Sequence, residues 1–216
     1  MTADPSHSPR LEPPPDQSPL RDEELAEHLA VLVAGSPVVM QVLTGIRSLD
    51  LPDWRLFSGA VYQTVWNALT GRDPDYGIKD YDIGYFDPDT RWETEDAAIK
   101  RAAALFGPAL AAKVEVRNQA RVHLWFEDKF NEPYPPLAQT DEALARFVCP
   151  AFAVGIRLED DDGLTVSAPF GLFDTFTMRL RRNPTRPISD EAFRRVTHAV
   201  QTRWPEVEIP GIKIGG

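Results

Sequence analysis

The sequence predicts an α/β (α+β) fold, a mixed β-sheet flanked by helices in a single domain with a helical N-terminal extension. Three observations predict it. Apolar residues recur at helical spacing in some segments and alternate with polar residues in others. The two kinds of segment interleave along the chain, as they do when helices cover a sheet. Finally, 216 residues with 43% hydrophobic and 26% charged side chains suit one ample domain with a single core.

Residues 1–19 contain Pro5, Pro9, Pro13, Pro14, Pro15 and Pro19, and Leu11 is their one large aliphatic residue after Met1. Such a segment buries too little apolar surface to offset its ordering entropy, so a disordered tail is expected. The domain then spans 20–216, with a helical lead-in over 20–52 and the core over 53–210. Leu25, Leu29, Leu32 and Val33 follow the acidic turn Asp22-Glu23-Glu24, which suits the positive end of a helix dipole. Ser36-Pro37 reads as an N-cap and first-turn proline, opening a second helix through Ile46 and Leu49 that Pro52 breaks.

Arg55 to Ser58 reads as a short strand, and Ala60 to Leu69 as a helix ended by Gly71. Ile78 to Phe86 alternates as a strand does, Glu95 to Phe106 is helical, and Lys113 to Phe126 is extended with a break near Asn118. Thr140 to Phe147 reads as a helix capped by Thr140 or Asp141. Phe152–Leu158 and Leu164–Ala168 form a hairpin around Glu159-Asp160-Asp161-Asp162-Gly163, and Glu191 to Trp204 is a last helix after Ser189.

The formal charge of −10 and pI near 4.9 disfavour a long nucleic acid as partner, because phosphate binding leans on clustered Lys and Arg. A nucleotide is not excluded. Cys149 is the one cysteine, which rules out an internal disulfide and a multi-cysteine zinc site and reads as a small buried residue. No apolar run reaches membrane-spanning length and no secretory leader is visible, so no membrane partner and a cytoplasmic location are expected.

Candidate chemistry lies between Ser58 and Glu115. Asp80 and Asp82 sit on one face of a strand, about 6–7 Å apart along the backbone. Two carboxylates there repel unless a cation lies between them, and oxygen ligands suit Mg²⁺ or Mn²⁺. A calcium loop counted from Asp80 fails, since positions five, six and twelve are Gly84, Tyr85 and Arg91. Ser58-Gly59-Ala60 closes a strand and opens a helix, where backbone N–H groups and the dipole favour a phosphate. Glu115, between Val114 and Val116, places a third carboxylate on a later strand. Each feature alone has a duller reading: a surface D-x-D, a tight turn, a solvent-facing Glu. Their order supplies a phosphate cradle and three acids able to hold two metals for in-line displacement at phosphorus.

That order resembles the polymerase-beta-like nucleotidyltransferase superfamily. More closely, SGAVYQTVWNALTG, IKDYDIGYFD, VEVRNQARVHLWF and APFGLFD are similar to a small bacterial nucleotidyltransferase-like family, a domain of unknown function, over roughly Trp54 to Trp204. The resemblance implies a nucleotidyltransferase fold, an NTP donor, and Asp80, Asp82 and Glu115 as catalytic metal-site carboxylates for Mg²⁺ or Mn²⁺. The wider superfamily has Gly-Ser or Gly-Gly where this chain has Gly59-Ala60, so a hydroxyl for the terminal phosphate is missing. The acceptor is not legible.

Strict alternation from Glu115 gives Arg117, Gln119, Arg121 and His123 one face. Arg121 is then a candidate phosphate ligand through its planar fork, and His123 a proton acceptor or substrate ligand. Trp66, Trp125 and the Phe170–Phe176 cluster read as core, and Asp174 as a helix cap. Arg179–Arg182, Arg186, Arg194 and Arg195 form the basic concentration, read as a solvated face. His7, His28 and His198 are isolated. The competing functions are a nucleotide- or metal-binding regulatory protein on the same fold, favoured by Ala60, and a D-x-D glycosyltransferase, disfavoured by the short chain and by Glu115.

Overall fold

Leu25, Leu29 and Val33 lie along one stripe of α1 (Pro19–Ala34), and Val39, Val42, Leu43 and Ile46 along one stripe of α2 (Pro37–Arg47). All seven are buried in one hydrophobic core, so the lead-in belongs to the domain it precedes. These elements belong to a computed structural model that describes residues 19–210. The expected proline-rich tail lies outside those residues except for Pro19, where α1 begins. Among the described residues no single helix is long and apolar enough to cross a membrane; α1 and α2 bend by 97° about Gly35-Ser36 and owe their apolar character to packing. Ser36 holds the N-cap position, but its buried hydroxyl makes no capping bond.

The chain continues through β1 (Arg55–Phe57), α3 (Gly59–Thr70), β2 (Tyr81–Tyr85), α4 (Trp92–Ala103), α5 (Pro108–Ala111) and β3 (Val114–Asn118). A 3₁₀ segment at Gln119–Leu124 leads to α6 (Phe126–Phe130) and α7 (Asp141–Leu144). After a 3₁₀ turn at Pro150–Phe152 come β4 (Gly155–Leu158), β5 (Leu164–Ser167), α8 (Phe173–Phe176) and α9 (Asp190–Gln201). The strands form one mixed sheet in the order β3-β2-β1-β4-β5. β2 and β3 are parallel, which requires a crossover, and α4 with α5 supplies it. The remaining pairs are antiparallel.

Strand alternation divides the sheet into two faces. Leu56, Ile83, Val116 and Ile156 sit in register across four strands and join the main core with α1 to α4. Phe57, Asp82 and Glu115 form the neighbouring row and point the other way. Phe57 nucleates a small second cluster there with Ala143 and Leu144. Gly84 makes room for it, because a Cβ at this position would lie 2.3 Å from the Phe57 ring. At the far end of α3, Trp66 meets Trp204 edge-on at 5.6 Å. Each buried indole keeps a hydrogen-bond partner: Trp66 donates to the Thr175 carbonyl (2.8 Å) and Trp204 to Asn67 Oδ1 (3.0 Å).

The expected strand and helix positions are largely present, with four corrections. β2 starts at Tyr81 rather than Ile78, because residues 73–78 turn: Asp73 Oδ1 accepts from the Asp75 amide, and Gly77 has φ 74°. Asp80 therefore stands just before the strand. The helix expected over 140–147 is a single turn, α7 (Asp141–Leu144); Thr140 stands at its N-cap, and no side-chain bond caps it. Asp174 does not cap α8; it is buried and paired with Arg181 at 2.5 Å.

The fourth correction concerns the extended stretch over 113–126, which stops at Asn118. The buried Asn118 side chain donates to the Asp87 carbonyl (2.8 Å) and accepts from the amides of Asp87 (3.0 Å) and Ala120 (3.1 Å). Its own amide donates to Glu95 Oε1 at 2.8 Å. These bonds tie the loop after β2, the end of β3 and α4 together and turn the chain into the 3₁₀ segment. Arg121 and His123 consequently do not share the face of Glu115. Arg121 forms an ion pair with Glu95 at 2.8 Å, donates to the Thr90 carbonyl and lies over the Trp92 ring. Glu95 is 3% exposed, so removing its cation strands a buried charge. Arg121→Ala is expected to lower unfolding free energy by about 3 kcal/mol in urea denaturation; an unchanged midpoint would show that the pair has no structural role.

Candidate active site

β1 delivers the chain to Ser58, whose backbone is strained at φ 44° and ψ −100°. The Ser58 amide is held by the Val154 carbonyl at 2.8 Å, and the amides of Val61 and Tyr62 both turn back onto the Ser58 carbonyl at 2.9 Å. The leading amides of α3, at Gly59 and Ala60, head the positive end of a twelve-residue helix. A Cβ built on Gly59 would lie 3.4 Å from Gln63 Nε2 and 3.9 Å from Asp80 Oδ1. Glycine is thus not required by packing here, and its bareness opens the backbone beside a carboxylate.

Asp82 is the centre of the arrangement. It faces Phe57 across the antiparallel pair and Glu115 across the parallel pair. Burial first, then the charges of Asp80 and Glu115, push the Asp82 carboxyl up from 3.8 to about 7, with Arg117 opposing. The three acids are therefore electrostatic neighbours in the structure. They stand apart rather than closed on one point: among the described residues no three His, Cys, Asp or Glu side chains form a ready metal cage. The donor set is nonetheless all oxygen, carries one carboxyl whose charge is strongly disfavoured, and adjoins a helix N-terminus, which fits a hard divalent cation with phosphate oxygens.

Asp82 and Glu115 open onto a cleft of about 390 Å³. Phe57, Gly84, Arg117 and Gln119 extend its floor, so two of the four residues expected to share the face of Glu115 do so. Trp125, Phe126, Phe130 and Tyr134 line it as an aromatic group, and Arg146, Phe147 and Arg186 line it beside them. The aromatic group is self-packed, with ring centroids 4.6 Å apart for Phe126 and Phe130 and 4.5 Å for Phe126 and Tyr134.

A protein-family model described as Nucleotidyltransferase matches residues 44–209. The chain belongs to this nucleotidyltransferase family. A solved structure, whose description says that it "reveals a CCA-adding enzyme head domain", matches with a TM-score of 0.68 and 24% identity, over 86% of this chain and 96% of the other. That likeness shows a shared fold. Among curated protein sequences none matches the chain.

In the nucleotidyltransferase, Asp82 and Glu115 sit side by side in the sheet, and Asp80 lies beside Gly59 at the start of α3. Asp80 lies on the α3 side rather than in the cleft lining. Arg121 is engaged with Glu95 behind the loop, and the half-buried His123 is likewise absent from the cleft lining. Trp125 is a cleft wall rather than core. Arg186 also leaves the expected solvated face: it donates to the Arg146 carbonyl and pairs with Glu132. Arg181 and Arg182 pair with Asp174 and Asp190. Cys149 is buried as expected, and desolvation pushes its thiol up to about 12.

The Asp82 shift sets a pH signature for the metal-free protein. The folded state keeps this proton to about pH 7, whereas the unfolded chain releases it near the ordinary 3.8. The shift therefore costs the fold no stability below pH 4, progressively more between pH 4 and 7 as only the unfolded chain releases the proton, and a constant amount above. Asp82→Asn removes that cost. In chelator, its unfolding free energy relative to wild type is expected to rise between pH 4 and 8 by on the order of 2–4 kcal/mol. A difference that stays flat across this range would contradict the electrostatic assignment.

Proposed function

We propose that this chain transfers a nucleoside monophosphate from an NTP to an acceptor hydroxyl, with Asp80, Asp82 and Glu115 holding Mg²⁺ or Mn²⁺. The observation that carries the reading is the row Phe57–Asp82–Glu115, which sets two carboxylates side by side next to the N-terminus of α3. Bound divalent cations would supply charge neutralisation on the phosphate oxygens and on the attacking and leaving oxygens.

The chain's own groups divide the remaining work. The amides of Gly59 and Ala60 receive phosphate oxygens, and the missing Cβ at Gly59 permits close approach. Ser58, in its strained turn, fixes where those amides point. The acceptor oxygen attacks the α-phosphorus; the new P–O bond forms as the bond to the bridging oxygen breaks, and pyrophosphate departs with that electron pair. The hydroxyl proton passes to a carboxylate at the Asp82–Glu115 end and on to solvent. Arg121 supports this site from outside, through Glu95 and Asn118, and is not a phosphate ligand in this reading.

Ala60 favours a second reading, a nucleotide-binding regulatory protein with little turnover, because the hydroxyl usual at this position in the superfamily is absent. The two separate experimentally. Mn²⁺ should raise the melting temperature and Mn²⁺ with NTP should raise it further, by mass action. With a mixed acceptor extract, the wild type should release pyrophosphate at a rate at least 100-fold above Asp82→Asn. A nucleotide-dependent shift without pyrophosphate release supports the regulatory reading, and no shift with any metal or NTP removes both.

A further inference from the structure

We propose that the cleft beside Asp82 and Glu115 is the acceptor subsite, and that it takes a small molecule joining a planar aromatic ring to an anionic group and carrying the hydroxyl that is nucleotidylated. A nucleoside monophosphate is one member of that class, and a hydroxylated aromatic acid is another. The assignment rests on the nucleotidyl-transfer reading above and narrows it from any acceptor to one chemical kind.

The position of the cleft comes first. In-line displacement places the nucleophile and the leaving group on opposite sides of the phosphorus. The phosphate-binding end of the site is at Gly59, with Asp80 beside it, and neither residue lines the cleft. Asp82 and Glu115 do line it. A donor whose polyphosphate sits at α3 thus leaves the cleft on the side from which the acceptor oxygen approaches.

The chemistry of the walls then specifies the occupant. Three arginines line the cleft, and two are already matched: Arg117 with Glu115 at 3.3 Å and Arg186 with Glu132. Arg146 has no carboxylate partner among the described residues, and its Nε is buried without a hydrogen bond. Its guanidinium lies 4.7 Å from the centre of the Tyr134 ring. Burial pushes the Tyr134 hydroxyl up to about 12, so this neighbour stays neutral and does not neutralise Arg146. A half-buried cation without a counter-ion in a cleft is a ready receptor for an anion.

The aromatic residues of the lining offer ring surface, next to the arginines: Arg146 lies over Tyr134 and Arg186 over Phe126. Trp125 is half-buried, and Phe130 is 50% exposed although it packs on Phe126. Partly exposed rings lining a cleft suit stacking by a planar group. The volume of about 390 Å³ accommodates a nucleotide-sized molecule. One unmatched cation on a chain of charge −10 suits a small anion better than a polyanion.

The test fills the donor site with Mn²⁺ and a non-hydrolysable NTP and then titrates four probes by calorimetry: AMP, 4-hydroxybenzoate, adenosine and inorganic phosphate. The proposal expects AMP, 4-hydroxybenzoate or both to bind at least tenfold more tightly than adenosine or phosphate. Which of the two binds tells a nucleotide acceptor from another aromatic acid. Arg146→Gln should weaken that binding at least tenfold, and Phe130→Ala, at an exposed ring whose loss spares the core, at least threefold. Equal binding of adenosine, binding insensitive to both substitutions, or no binding of either aromatic anion overturns the proposal. The Mn²⁺–NTP melting shift is read in parallel. Its persistence in wild type while the acceptor probes fail would sink the acceptor assignment alone, and its absence in wild type would sink the transfer reading. Loss of the shift in a folded Arg146→Gln would mean that the cleft holds the donor, which also overturns the assignment.

Discussion

The parallel pairing of β2 with β3 is the constraint on which the rest depends. It sets Asp82 directly opposite Glu115, two like charges in adjacent strands, an arrangement that by itself weakens the sheet. The protein holds that register by anchoring both strands at their far ends. Asn118 closes β3 onto the loop after β2 and onto Glu95, and Arg121 in turn satisfies Glu95. On the opposite face, Ile83 and Val116 are buried in the main core, so a slip by one residue would turn apolar side chains out and carboxylates in. The repulsion is therefore built in and supported rather than relaxed. In the proposed reading, a bound cation would offset that cost.

The architecture was legible where the local signal was strong. The stripes of α1 and α2, the Gly71 stop of α3 and the acidic hairpin between β4 and β5 all follow from spacing and turn chemistry. The pairing of Asp82 with Glu115 was legible as well, because acids inside apolar strand patterns stand out, whereas Asp80, read as part of the same strand, precedes it. The fate of Arg121 was not. Its residue type suited a phosphate, and only the Asn118 side chain, acting on a loop 31 residues earlier in the chain, diverts the backbone and sends Arg121 to Glu95. The cleft walls were equally hidden. Trp125 and Phe130 come from a segment after β3, Arg146 follows α7 and Arg186 precedes α9, and nothing in the local pattern brings them to one place. The spacing Trp125, Phe126, Phe130, Tyr134 is the one trace, an aromatic cluster in a stretch too rich in proline to be a core helix.

Two surfaces with different chemistry meet at Asp82. On the α3 side lie a strained turn, a bare glycine and free amide groups, which are features of backbone recognition and indifferent to the base of a nucleotide. On the cleft side lie aromatic rings and an unmatched guanidinium, which discriminate by shape and charge. In the proposed reading, this division would put the handling of phosphate on the sheet and α3, and acceptor selection on segments packed around Phe57 and its small second cluster. Gly84 joins the two, since the Phe57 ring occupies the space its side chain would take.

The most direct test of this account is where a paramagnetic cation binds. Amide NMR spectra of the metal-free protein at pH 8 would be followed during addition of substoichiometric Mn²⁺. The account predicts that the signals of Gly59, Asp80 to Asp82 and Glu115 broaden together, that those of Glu95 and Arg121 are less affected, and that Asp82→Asn abolishes the effect. Broadening centred instead on the exposed acidic turn at Asp160 to Asp162, with Asp82 and Glu115 untouched, would contradict it.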